Sequence, residues 1–295
     1  MELRELRVLV AVAEHGGVVR AAGALHLSPS SVSHTLTTLE TKLGVRLFHR
    51  MPRGMVVTDV GRAVLGPARR ALQAAAAADS AAAAVKGLLS GRVTLVPARI
   101  FVAPVVELVA RFHQVHPQIV MSMRSPEGEH LIAELIRSGD CEFGVMRSDM
   151  VPADLMHTPI GTQTGSVVVP ADHPLAAGSS VRVEQLDGVD LIAPPPSSPF
   201  RPHFDRVLTD LDVVPRVVAE TDHLETMLEL VCRGVGVSIA PVESAVTVGD
   251  RAVVLPIDPP VSREMWLVAQ SADPLAPAAA AFWEFIGVQV AGQQA

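Results

Sequence analysis

The chain has 295 residues, 49% of them hydrophobic, and a formal net charge of −7. That length allows two or three compact units, and that apolar content excludes a disordered chain. The longest apolar run, AAAAADSAAAAV at 74–85, is alanine interrupted by Asp79, too weakly hydrophobic to span a membrane.

The charge is unevenly spread. Residues 1–90 carry 11 Lys/Arg against 6 Asp/Glu, a formal +5, whereas 91–295 carry 13 against 25, a formal −12. A basic first third on an acidic body points to a polyanion facing only that third. The opening MELRELRVLVAVAEHGG has charges before and inside its apolar face, which argues against a secretory signal. Two cysteines, Cys141 and Cys232, fit a reducing cytoplasm and no disulfide framework.

In chain order, Leu3, Leu6, Leu9, Val10 and Ala13 repeat at helical spacing, and Gly16-Gly17 is the stop. Val19, Ala22 and Leu25 line one face of a short second helix. A turn at His26-Leu27 follows, and then Ser28-Pro29, a cap and a first-turn proline. Val32, Leu36, Leu39 and Leu43 form the buried stripe of a third helix, while Ser30, Ser33, His34, Thr37 and Thr41 occupy the opposite face. Two short helices joined by a tight turn predict a helix-turn-helix whose second helix enters the major groove; a plain helical pair is the alternative.

After Gly44, two extended runs flank Met51-Pro52-Arg53-Gly54, which predicts a hairpin wing with Arg46, Arg50 and Arg53 near its tip. Between Arg20 and Lys42 there is no Lys or Arg. Phosphate contacts therefore fall to the wing arginines and the helix N-terminus. Short Ser, Thr and His side chains offer few bidentate base contacts, so shape readout should carry a larger share. The expected DNA contacts are Pro29, Ser30, Ser31 and Ser33, with His34, Thr37, Arg50 and Arg53. Thr58 caps a long helix in which 64, 68, 71, 75, 78, 82, 85 and 89 form an apolar heptad seam, the mark of self-association.

The pieces AAGALHLSPSSVSHTLTTLE and GVRLFHRMPRGMVVTDVGRAVL, with Thr58-x-x-Gly61 opening the long helix, resemble the LysR-type transcriptional regulators. This sequence departs from the family's recognition helix. Pro29 stands where the family often has Gln, and Thr35 and Thr37 stand where it often has Gln and Arg.

Beyond Ser90-Gly91, strands such as RVTLVPA and CEFGVMR alternate with helices such as FVAPVVELVARFHQVHP, and a further helix is expected near 200–211. Crossovers near 161–164 and 266–270 would give two α/β halves and a clamshell cleft. The resemblance implies the same: a periplasmic-binding-protein-like effector domain. The expected organisation is an α+β, multi-domain chain. A winged helix-turn-helix spans 1–58 and a linker/dimerisation helix 59–90. The effector domain spans 91–295, with subdomain I at 91–161 and 267–295 and subdomain II at 162–266.

Polar residues at strand ends are the candidate effector contacts. They are Arg99, Ile100, Ser125, Arg147 and Ser148, then Ser198, Phe200, His203, Thr221 and Asp222. Arginines at a crevice edge favour an anionic ligand; the alternative is that each pairs with a local acid, Glu127 or Glu142. His113-x-x-His116 has metal-ligand spacing but no nearby carboxylate or thiol in sequence, so no metal and no cofactor are expected. The cysteines lie in different halves and read as structural thiols. Ser238 lacks a nucleophile-elbow pattern, and no enzymatic constellation is found. A ligand-binding protein whose first third serves only assembly is the main competitor. The reading is a cytoplasmic transcription regulator that binds double-stranded DNA and a small-molecule effector, self-associates as dimer or tetramer, and has no membrane partner.

Overall fold

The structure, a computed structural model, describes all residues except 53, 85–88, 127, 199–200, 202–204, 206–207, 209–211, 272–274 and 294–295, and not the side chains of 79–84, 246–247 and 290–293. Arg53, Phe200 and His203, and most of the helix expected near 200–211, lie outside the described residues.

The head is built from α1 (Leu3–His15), α2 (Val18–Leu25) and α3 (Pro29–Leu43). Gly16 ends α1 in the left-handed conformation, φ 66°. Ser28 Oγ accepts the Ser31 N–H at 3.1 Å, so the expected cap and first-turn proline open α3. Val32, Leu36 and Leu39 pack on Leu6, Leu9 and Val12 of α1 and on Ala21 and Ala22 of α2 in one core. The wing is the antiparallel pair β1 (Phe48–Met51) and β2 (Gly54–Val57). Two hydrogen bonds hold it, one to a side-chain carboxylate and one to a backbone carbonyl. Buried Glu40 accepts the Leu47 N–H at 2.8 Å, and Met55 N–H reaches Gly16 O at 3.0 Å. Gly54 sits at φ 138°, and a Cβ there would lie 2.4 Å from Gly16 O, so only glycine lets the wing close on the α1–α2 junction.

Helix α4 (Asp59–Ala84) opens with Thr58 Oγ1 accepting the Gly61 N–H at 2.9 Å. The first part of its seam is used within the chain: Val64, Ala68 and Ala71 pack on the head core beside Leu65. Ala75 is half-buried and Ala78 exposed, whereas the side chains at 82 and 85 are outside the described set. An alanine methyl contributes only about 0.8 kcal/mol on burial, so this stripe gives close approach more than energy.

The body is built on an eight-stranded sheet shared by two lobes, with a separate two-stranded parallel sheet in lobe II. Lobe I holds β3 (Gly91–Pro97), β4 (Ile119–Met123) and β5 (Phe143–Arg147), with α5 (Val102–Val115), α6 (Ile132–Arg137) and α9 (Pro277–Gln293). Lobe II holds β7 (Val181–Arg182), β8 (Asp190–Ala193), β9 (Arg216–Glu220), β10 (Ser238–Pro241) and β11 (Ala252–Asp258), with α7 (Leu224–Cys232) and α8 (Val242–Ala245). Strands β3, β4 and β5 are parallel, as helix-crossover connections require.

Two long strands run through both lobes, β6 (Leu155–Pro170) and β12 (Ser262–Gln270). In β6, Leu155 and Ile160 are buried in the lobe I core, while Val167, Val168 and Val169 are buried in lobe II. In β12, Met265, Leu267, Val268 and Ala269 all belong to lobe I, whereas Val261, just before the strand, packs against lobe II. The second crossing therefore falls at 261–265, before the expected 266–270, because residues 267–269 are fixed in the lobe I core. Among the described residues no helix is long and apolar enough to cross a membrane.

Candidate functional site

The head presents a polar, basic surface. Ser30, His34 and Thr37 are exposed on α3, and Pro29 lies at its exposed N-terminus. Ser33 is half-buried in a groove of about 730 Å³ between α2, α3 and the wing. Arg20, Pro29 and Arg50 line the same groove. Arg20 was missed in the sequence; it lies on α2, one helix before the predicted reader. Ser30 and Ser31 are partly committed: Ser28 and Ser30 hydroxyls lie 2.9 Å apart, and Arg4 Nη2 donates to Ser31 Oγ at 3.3 Å. Lys42, which ends the arginine-free interval, is also committed. Its ammonium donates to Glu5 at 2.5 Å, which holds that carboxyl below the usual range and ties α3 to α1. The groups left facing outward thus combine short polar side chains on α3 with flanking arginines, a surface suited to phosphate contacts at its edges and base edges at its centre.

The second site is the interlobe cleft, a cavity of about 760 Å³. Of the sequence-predicted residues, Arg99, Ile100, Ser125 and Asp222 line it; Arg147, Ser148, Ser198 and Thr221 do not. Arg147 is turned to its own lobe, where its Nε lies 3.5 Å from both Glu129 and Asp149, and its backbone N–H reaches Glu129 at 2.9 Å. The partner acids are thus Glu129 and Asp149, not Glu142. Glu142 instead accepts the Thr94 N–H at 2.7 Å and Gln73 Nε2 at 3.0 Å, and burial raises its carboxyl above the usual range. Glu127 lies outside the described residues. Thr221 Oγ1 accepts the His223 N–H at 3.2 Å, the Ser198 N–H donates to Pro195 O at 2.8 Å, and Ser148 opens an exposed turn. These geometries serve local turns.

Several lining residues went unread in the sequence: Gln163 and Gly165 on β6, Val261 just before the returning strand and Arg263 on it, and Glu225 and Glu243 on lobe II. Most of the wall is apolar, with Ile100, Met227, Leu228 and Ile239 contributing. Across the lobes, Arg99 Nη2 lies 3.3 Å from His223 Nδ1. Burial, and then the nearby Arg147 charge, push the Arg263 guanidinium down to about 10, so it remains a cation at neutral pH.

The thiols lie apart from both sites. Cys141 is buried in lobe I, and burial pushes its thiol far up; Cys232 is half-buried in lobe II. The His116 ring packs at a tilt against Phe112, with the ring centroids 4.8 Å apart. Among the described residues, no three metal-ligating side chains converge.

Family models match both parts of the chain. One described as a LysR substrate binding domain spans residues 86–290, and one described as a bacterial regulatory helix-turn-helix protein, lysR family, spans residues 3–62. The uncharacterized HTH-type transcriptional regulator YnfL of Escherichia coli is 30% identical over 295 residues, covering 96% of each chain. The RuBisCO operon transcriptional regulator of Allochromatium vinosum is 28% identical, covering 97% of this chain and 95% of its own. Among solved structures, a full-length OxyR variant from Pseudomonas aeruginosa aligns over 97% of each chain with TM-score 0.76 and 27% identity. CbnR complexed with its target DNA aligns over 98% of this chain and 99% of its own, with TM-score 0.61 and 23% identity, a likeness of fold.

Proposed function

The chain belongs to the LysR family of DNA-binding transcription regulators, and on that premise we propose how it works. It acts in the cytoplasm as a dimer or tetramer, lays α3 in the major groove, and changes its hold on an operator when a small anionic molecule enters the interlobe cleft. The observation that carries the DNA part is the groove in which Arg20, Ser33 and Arg50 meet across α2, α3 and the wing. Arg50 supplies phosphate contacts on the wing side and Arg20 on the α2 side, with Arg53 the remaining wing candidate. Pro29, Ser30, Ser31, Ser33, His34 and Thr37 supply the central surface. In the cleft, Arg99, Ile100, Ser125 and Asp222 are ligand contacts. The domains divide as the chain does, with a head to 58, a linker helix from 59 to 90 that also carries self-association, and a two-lobed body from 91.

The test is the salt dependence of DNA binding by the full-length protein. Arg20→Ala and Arg50→Ala should each lower affinity for every DNA sequence and reduce the log–log salt slope by about 0.9. A double variant with the wild-type slope would remove both arginines from the phosphate interface.

A further inference from the structure

Two side chains on the cleft floor lack the partner their chemistry demands. Gln163 is 2% exposed and lines the cleft. Its Nε2 donates to Ile100 O at 2.7 Å, which fixes the amide, and its Oε1 is buried with no hydrogen-bond partner among the described residues. A buried amide oxygen left unpaired is costly, so it marks a place where a donor belongs. Arg263 is the direct cross-strand partner of Gln163 in the β6–β12 ladder. Such partners place their Cβ atoms about 5 Å apart on one face of the sheet. Arg263 also lines the cleft, and no carboxylate among the described residues lies within ion-pairing distance of it. The acids nearest in charge, Glu129 and Asp149, are engaged by Arg147. An acceptor without a donor thus stands beside a cation without an anion, at the point where both strands cross between lobes.

We propose that the cleft binds a 2-hydroxy carboxylate with an apolar body, its carboxylate on Arg263 and its hydroxyl donating to Gln163 Oε1. Three features narrow the class. The donor must sit within a few ångströms of the anion, because the two recognising side chains face each other across one rung of the ladder. It must be uncharged, because an ammonium there would face Arg263 with Arg147 behind it. The anion should carry one charge, because Asp222, Glu225 and Glu243 line the same cavity and repel a dianion. The remaining wall, with Ile100, Met227, Leu228 and Ile239, takes the apolar body. Bound there, the ligand touches both crossing strands, so its presence can bias the angle between lobes.

The inference rests on the reading of the cleft as the regulator's ligand site, and the experiment separates the two. Calorimetric titration of the full-length protein with mandelate, phenylacetate, mandelamide and phenylglycine should rank mandelate first. Mandelamide, which lacks the charge, should bind on the order of ten- to a hundredfold more weakly. Phenylacetate, which lacks the hydroxyl, should bind about tenfold more weakly, and phenylglycine should also fall behind. Arg263→Met should abolish the preference for acid over amide; removing a cation crowded by Arg147 should leave the fold intact, checked by melting and by DNA affinity without ligand. Arg263→Lys should keep part of the preference, and Gln163→Leu should erase only the advantage of mandelate over phenylacetate. Equal binding of mandelate and mandelamide, an unchanged ranking in Arg263→Met, or no binding by any probe would overturn the proposal. Tight mandelate binding that leaves operator affinity unmoved would instead uphold the ligand class and overturn the regulatory reading.

Discussion

In the head, the side chains proposed to meet a partner stand on two neighbouring helices and one hairpin, at or near the surface and close together in sequence. In the cleft they are gathered from β6, β12, the turn after β3 and the start of α7, and the best placed of them is almost fully buried. The head is thus a surface whose geometry is set locally, by caps, helical period and the pairing of β1 with β2. The cleft is a junction whose geometry exists only when two lobes share two strands. A local surface tolerates change in the rest of the molecule, whereas a junction transmits it. The two regions meet where α4 touches lobe I. Arg69 pairs with Asp140 at 3.0 Å, Arg70 donates to Arg137 O at 2.8 Å, and Gln73 donates to Gly139 O at 3.0 Å.

The sharpest separation of the two regions should come from Gly61→Val. A Cβ at 61 would lie 2.3 Å from Leu47 O and 2.8 Å from Val57 Cγ1, so the start of α4 and the wing cannot both keep their places. A backbone overlap of this kind should cost the head about 3 kcal/mol or more and abolish operator binding. Trp283 packs on the lobe I core and Trp266 pairs with Met146 of lobe I strand β5, so the indole fluorescence of these two tryptophans, the only two of the chain, follows the body alone. Its melting transition should stay at the wild-type temperature while circular dichroism shows early loss of helix. A fluorescence transition that moves down with the head would show that the two regions unfold as one unit.

The same contrast explains what the sequence revealed. Helix ends, the Ser28 cap, the wing and the Thr58-x-x-Gly61 turn are decided by residues within a few positions of one another, so they were legible. The cleft was legible only where strand ends happen to face it, at Arg99, Ile100, Ser125 and Asp222. Arg147 also ends a strand, but Glu129, from a separate turn, and Asp149 take up its charge, and no spacing in the sequence predicts that capture. Arg263 could have been found. It falls two and four residues before Met265 and Leu267, so strand alternation puts a charge on the inward face of a strand whose next positions are core. Gln163 carried no such signal, because its unpaired oxygen depends on a carbonyl sixty-three residues away. The heptad seam misled in its first half for a tertiary reason: α1 covers the positions that a second chain would otherwise cover.

A smaller effect should appear at the contact between the regions. Arg69 and Asp140 are each more than four-fifths buried, with 16% and 18% of their side chains exposed. Arg69→Met removes one partner and leaves the other enclosed, at about 1–3 kcal/mol. DNA affinity without ligand and ligand affinity without DNA should stay near wild type, because neither site is touched. The influence of one on the other should fall, by up to the 1–3 kcal/mol typical of coupled sites. Measuring each affinity with and without the second ligand, mandelate serving for the cleft, gives the coupling directly. Wild-type coupling in the variant would mean that the signal travels by another contact, such as the Gln73 side chain with Gly139 and Glu142.

The smallest effect, and the finest test of the head as a purely local surface, concerns His34 and Thr37. Ser30 and Ser31 hydroxyls are occupied by Ser28 and Arg4, and Ser33 is half inside the groove. His34 and Thr37 are the exposed α3 side chains one turn further along, on the face opposite buried Val32, Leu36 and Leu39. If they meet base edges, His34→Ala and Thr37→Ala should change the ranking of single-base operator variants. A good base contact is worth about 1–3 kcal/mol, and without the two-donor fork of arginine the lower end is expected. Helical content should be unchanged, because the buried stripe is untouched, and the salt slope should also hold, because neither side chain neutralises phosphate. That pairing of altered ranking with constant slope distinguishes base reading from backbone positioning. Variants that keep the wild-type ranking at every operator position would place sequence preference in the wing arginines and the deformability of the DNA, and α3 would then serve to dock the head without reading the bases beneath it.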